Sequence, residues 1–139
     1  MPPPPTLDGP ALLLTRPEDA SRRFLALCEA VAGRPLPAIL SPVMALTPLP
    51  VALPEKPSAL LLTSEAGARR AGGLGLAGLP AWCVGPRTTG AARAAGLLAL
   101  EAGGDADALV AAVLAARPPG LLLHLRGEHA RGEVAARLR

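Results

Sequence analysis

The sequence predicts an α/β protein, a parallel sheet with flanking helices, and three observations carry that prediction. Short runs of Leu, Ala and Val recur at Leu12, Leu60, Ala81 and Leu121. Each ends in a turn that holds a hydroxyl, an Arg or a Gly, and each turn opens an Ala-rich stretch with helical spacing. Strand alternating with helix in this rhythm argues for βαβ units, whose crossovers leave neighbouring strands parallel.

The elements follow in order. Pro2 to Pro5 cannot donate backbone hydrogen bonds and favour polyproline II, so residues 1–10 read as a disordered leader. Ala11 to Thr15 reads as a buried strand, and Arg16-Pro17 turns into a helix from Glu18 to Ala32. Phe24, Leu25, Leu27, Cys28 and Val31 form its apolar stripe, and Gly33 stops it. Residues 11–34 therefore form one strand and one helix.

Between Arg34 and Ser58 stand seven prolines, at 35, 37, 42, 48, 50, 54 and 57. No helix survives that spacing, so residues 35–57 read as an extended ribbon and a domain boundary. Residues 58–139 then repeat the rhythm: strand Ala59 to Thr63, helix Glu65 to Gly72, strand Ala81 to Val84, helix Thr88 to Ala95. A weak strand at Leu97 to Leu100 leads through Gly103-Gly104-Asp105, a turn with an N-cap, into a helix that ends at Ala116. Strand Leu121 to Leu125 and a helix from about Ala130 close the chain. Nothing after Leu125 covers the edge of that last strand, and Ala11 to Thr15 has no sheet partner of its own. The sheet is expected to be incomplete at the C-terminus.

Composition narrows the function classes. At 139 residues the chain is about one ordinary domain long, and its 50% hydrophobic content suffices for a core. With one Phe, one Trp and no Tyr, that core is packed from small and branched aliphatic side chains. The net charge of +3 comes from Arg, since Lys56 is the sole lysine. Arg offers a rigid fork for carboxylate and phosphate; a GC-rich genome gives the same bias. The arginines are scattered and stacking aromatics nearly absent, which argues against nucleic acid. Cys28 and Cys83 lack metal-ligand spacing and read as reduced, packed thiols. No signal peptide and no run near ~20 apolar residues is present, so a cytoplasmic protein with no membrane partner is expected.

Chemistry is expected at the turns. Ser64 and Thr88 each follow a strand and precede a helix, with Thr88 read as the N-cap after Gly85-Pro86-Arg87. A hydroxyl beside free N–H groups at a positive helix end suits a carboxylate or phosphate, although helix capping alone explains either residue taken singly. Arg16 and Arg126 close their strands toward the same edge. His124 and His129 have no ligand partners at metal spacing, and no G-x-G-x-x-G follows a strand. No metal and no cofactor is expected, and covalent catalysis is not indicated.

Taken in order, the strings LLLTRPEDASRR, ILSPVMALTPLP, ALLLTSEAGARR, AWCVGPRTTGAARAAGL, GGDADALVAAVL and LLLHLRGEHARGEVAARL resemble uroporphyrinogen-III synthase, from Leu12 to Arg139. The resemblance implies a cofactor-free lyase of tetrapyrrole and heme biosynthesis. It closes the linear tetrapyrrole polycarboxylate hydroxymethylbilane into uroporphyrinogen III and inverts the last pyrrole ring. It also implies two α/β domains joined by a ribbon: residues 11–34 would open the outer domain and residues 58–139 form a flavodoxin-like inner domain lacking its last strand.

By position, the resemblance assigns substrate binding to Arg16 of T-R-P, Ser64 after the first inner strand, Gly85 and Thr88 of V-G-P-x-T, and Arg126 and Gly127 of L-R-G. Ala66 stands where many members carry Asn or Arg. The family pattern continues beyond this chain, so a C-terminal complementing segment is expected as a partner and as a requirement for activity. The competing expectation is a non-catalytic α/β module that retains the fold.

Overall fold

A computed structural model describes residues 9–53, 56–129 and 133–139. The chain divides into two compact units that meet at Pro48–Leu49.

The first unit holds strand β1 (Leu12–Leu14), helix α1 (Glu18–Ala32) and strand β2 (Ala38–Leu40). The two strands run parallel, Leu12 opposite Ala38 and Leu14 opposite Leu40. The opening strand thus has a partner after all, and that partner comes from inside the Pro-rich ribbon. Ala38 to Leu40 lies in the stretch between Pro37 and Pro42, where every N–H is intact, and extended backbone beside proline is what a strand needs. The helix begins and ends where the sequence places it, with Gly33 left-handed at φ 64° as its C-cap. Its stripe is a different matter. Phe24, Leu27 and Val31 are exposed, Val31 to 91%, and among the described residues of this unit Leu14 and Ser21 are the buried ones.

The second unit is a four-stranded parallel sheet in the order β5-β4-β3-β6, built from β3 (Ala59–Leu62), β4 (Pro80–Cys83), β5 (Leu98–Glu101) and β6 (Leu122–Leu125). Helices α2 (Glu65–Gly73), α3 (Pro86–Ala94), α4 (Ala106–Ala116) and the single turn α5 (Val134–Arg137) follow the four strands in turn. The expected start of the last helix, Ala130 to Gly132, lies outside the described residues.

Alternation along β3 builds both cores. Leu60 and Leu62 join Ala81, Cys83, Ala99 and Leu125 under Ala68 and Ala71 of α2 and Ala92 of α3. Ala59 and Leu61 join Trp82 under Leu109, Val110 and Val113 of α4 and Val134 of α5. A central strand buried on both faces reads as a continuous apolar run, and Ala-Leu-Leu-Leu is that run. Each fully buried Leu contributes about 1.5–3 kcal/mol. Alanine on the helices lets their backbones sit close to the sheet.

Both outer strands of this sheet end it, β5 on one side and β6 on the other. At β5, Leu98 and Ala102 donate to β4, so alternation turns the Ala99 carbonyl to the open edge. The Arg93 guanidinium reaches over from α3 and donates to that carbonyl at 3.4 Å. A charged side chain on a free edge carbonyl discourages strand pairing. At the amino ends of β3 and β6, Ser58 Oγ donates to Pro119 O and Leu121 O at 2.6 and 3.0 Å.

Candidate functional site

Because the strands of the second unit are parallel, the turns after β3, β4, β5 and β6 share one edge. Strand order places the crevice there. The chain steps outward from β3 to β4 to β5, then returns to lay β6 on the other side of β3. Ligands of open α/β sheets bind at the carboxyl ends of the strands where the order reverses, which here is between β3 and β6.

Ser64 sits at that point as the N-cap of α2, its Oγ accepting from Gly67 N at 3.1 Å. The helix is pressed against β6 at the same place. A Cβ on Gly67 would lie 2.7 Å from the Leu125 carbonyl oxygen, so only glycine allows α2 to begin this close to the end of β6. The pattern T-S-E-A-G carries that signal, a glycine in the first turn of a helix where it has no propensity reason to be.

The turn after β4 lies next to it, with Val84 N donating to Leu62 O at 3.0 Å. The sequence reading of Thr88 as N-cap is corrected here. Gly85 is the N-cap, Pro86 occupies the first helical position, and Thr88 is inside the first turn. Pro86 is the physical reason: its fixed φ and missing N–H suit the first helical position and start the helix two residues early. Gly85 has no side chain to cap with, so the amides of Arg87 and Thr88 are left without a capping side chain. Thr89 Oγ1 donates to Gly85 O at 2.9 Å. Thr88 is 7% exposed, and its hydroxyl makes no hydrogen bond among the described residues. The turn after β5 is closed differently: Asp105 caps α4, accepting from Ala108 N at 2.8 Å, and Gly104 N donates to Val84 O.

Arg126 and Gly127 follow β6 and are exposed. Beside them His124 faces the α4 side of the sheet, its Nε2 3.4 Å from Thr63 Oγ1. Its Nδ1 is buried without a partner among the described residues, and burial, then the Arg126 charge, holds its pKa below the usual histidine value. The contact with Thr63 was not legible in the sequence, since it depends on the register that sets His124 opposite Leu61. Burial pushes the Cys83 thiol up, which keeps it protonated and unreactive. Among the described residues no group of three His, Cys, Asp or Glu gathers for a metal ion.

Arg16 belongs to the first unit. It is exposed, its guanidinium carbon 5.9 Å from the centroid of the Phe24 ring, and its carbonyl accepts from Ser21 Oγ at 3.0 Å.

The family model of uroporphyrinogen-III synthase HemD matches residues 26–139. The chain belongs to that family. The match covers every element of the second unit as well as β2 and the C-terminal part of α1, from residue 26 onward. No curated protein matches the chain. The uroporphyrinogen-III synthase family works in porphyrin and heme biosynthesis on a tetrapyrrole, and the ordered motifs from ILSPVMALTPLP to LLLHLRGEHARGEVAARL lie inside the matched span. No helix among the described residues is long and apolar enough to cross a membrane.

Proposed function

We propose that this chain serves as a uroporphyrinogen-III synthase, binding hydroxymethylbilane through its carboxylates and closing it, with loss of water, to uroporphyrinogen III with the last ring inverted. The observation that carries the reading is at α3. Its N-terminus has glycine in place of a capping side chain, and Thr88, a largely buried residue, keeps its hydroxyl accessible and without a partner among the described residues beside the uncapped amides. Such an arrangement favours an anionic oxygen that accepts from amides and hydroxyl together. Ser64, Gly85, Arg126 and Gly127 would complete this wall; the family resemblance also assigns substrate binding to Arg16, which lies in the first unit.

The first unit supports a second part of the proposal. Its two strands leave Phe24, Leu27 and Val31 of the α1 stripe exposed, as expected if further chain completes an outer domain and activity needs that completion. A non-catalytic module is favoured by one observation, that Ser64 Oγ is already engaged as a cap.

Two measurements separate these readings. Uroporphyrinogen III is assayed with hydroxymethylbilane supplied, for this chain alone and for the chain extended through its downstream reading frame. Product only from the extended form is expected; product from the chain alone would overturn the need for completion, and none from either favours the module. In the extended form, Thr88→Val should weaken polycarboxylate binding about tenfold with folding unchanged, the loss of one charged hydrogen bond. Unchanged affinity would remove Thr88 from the site.

A further inference from the structure

Helix α4 carries an outer face that a helix bordering water does not ordinarily have. Every residue from Ala108 to Ala116 is apolar. Leu109, Val110 and Val113 join the core beneath, yet Ala111, Leu114, Ala115 and Ala116 are exposed. A surface helix puts charged or polar residues on its outer side, whereas a helix apolar all round is a covered one. The edge of the sheet continues the pattern. Register sets Leu98 and Leu100 of β5 opposite Pro80 and Trp82, and Trp82 belongs to the α4-side core, so both leucines stand on the α4 side of the sheet. Leu98, Leu100 and Leu114 are each more than half exposed. Apolar surface gathered in one place marks an interaction face.

The charges at the two ends of α4 say what covers it. Asp105 stands at the N-cap and Arg117 at the C-cap, at opposite ends of a helix of 11 residues. Asp105 Oδ1 accepts from Ala108 N at 2.8 Å, which leaves Oδ2 without a partner among the described residues, and the Arg117 guanidinium has no ion pair or hydrogen bond among them. Asp107 differs, being committed to Arg137 at 2.7 Å. A face that is acidic at one end, apolar in the middle and basic at the other is complementary to itself turned round, which is what a two-fold contact requires. We propose that a second copy of this chain docks here, the two α4 helices packed antiparallel, so that Arg117 of each protomer meets the partner's Asp105 and the leucines of α4 and β5 are covered. Antiparallel packing also sets opposite helix-dipole ends together. Pairing along the β5 edge is not the mode, because the Arg93 guanidinium occupies the outward Ala99 carbonyl. Docking on this side leaves β6, at the opposite edge of the sheet, clear for further chain, so the inference stands whether or not the synthase reading does.

Sedimentation equilibrium of the whole chain over a concentration series is the test, with circular dichroism on each variant to establish that it folds. A monomer–dimer equilibrium is expected for the native sequence. Leu114→Glu enters a two-fold interface twice and should raise the dimer dissociation constant about a hundredfold, tenfold for each copy. Arg117→Asp should raise it about tenfold, and Asp105→Arg combined with Arg117→Asp should recover most of that loss by exchanging the two charges. Leu27→Glu, on the exposed stripe of α1 in the other unit, should leave the equilibrium unchanged. A monomer at every concentration, a dimer that survives Leu114→Glu, one that Leu27→Glu abolishes instead, or a charge exchange that recovers nothing would overturn the proposal.

Discussion

The two units use the same ingredients and reach different ends. Each has parallel strands of Leu and Ala and a helix with an apolar side. In the second unit four strands give both faces of β3 something to bury against, and Leu60, Leu61 and Leu62 are at most 2% exposed. In the first unit two strands and one helix leave Leu13, Phe24, Leu27, Val31 and Ile39 more than a third exposed. Apolar residues do not make a core by themselves; they need opposing faces, and a two-stranded sheet supplies too few.

The sharpest way to break that comparison is a pair of truncations. Leu60→Ala should cost about 2–5 kcal/mol, because it opens a cavity under α2 and α3. Leu27→Ala, at a site 57% exposed, should stay within about 0.5 kcal/mol. Urea denaturation measures both; a comparable loss at Leu27 would mean that the α1 stripe is covered in solution.

A pair of glycines probes the next largest effect. Gly67→Ala puts a Cβ against the Leu125 carbonyl, which belongs to the backbone and gives way poorly, so a loss of about 1–3 kcal/mol is expected. Gly90→Ala meets nothing within 4 Å in the middle of α3 and should stabilise by up to about 1 kcal/mol. Melting temperatures moving in opposite directions would sharpen the claim that only glycine lets α2 begin this close to the end of β6; equal shifts would sink it.

Capping is smaller still. Ser64→Ala and Asp105→Ala each remove a side-chain cap bond and should cost about 1 kcal/mol. Thr88→Ala should cost less than either, since Thr88 caps nothing. An equal loss at Thr88 in thermal unfolding would restore it as a structural residue.

The smallest effect is titration. The pKa of His124 is lowered in the folded state, so the unfolded chain takes up a proton first as pH falls below about 6.5. Stability should therefore decline as pH drops from there toward the folded-state value and then level off, and His124→Gln should remove that part of the slope. A slope unchanged by the substitution in pH-dependent denaturation would assign it elsewhere.

Much of this protein was settled by sequence order. Apolar runs alternating with Ala-rich stretches define the strands and helices, because backbone hydrogen bonding and side-chain period are local properties; α1 runs over the residues its pattern marks, and Asp105 caps α4 as its position after Gly103-Gly104 indicates. The turns at Ser64, Gly85 and Arg126 were legible for the same reason. Where the tertiary structure decided, the cause was a contact between residues distant in sequence. It drew β2 out of the Pro-rich segment to pair with β1 and brought His124 to Thr63 by strand register, whereas the start of α3 at Pro86 follows from the local geometry of that proline. It also left Phe24, Leu27 and Val31 of the α1 stripe exposed, since periodicity reports which face a helix would bury but not how much partner surface exists.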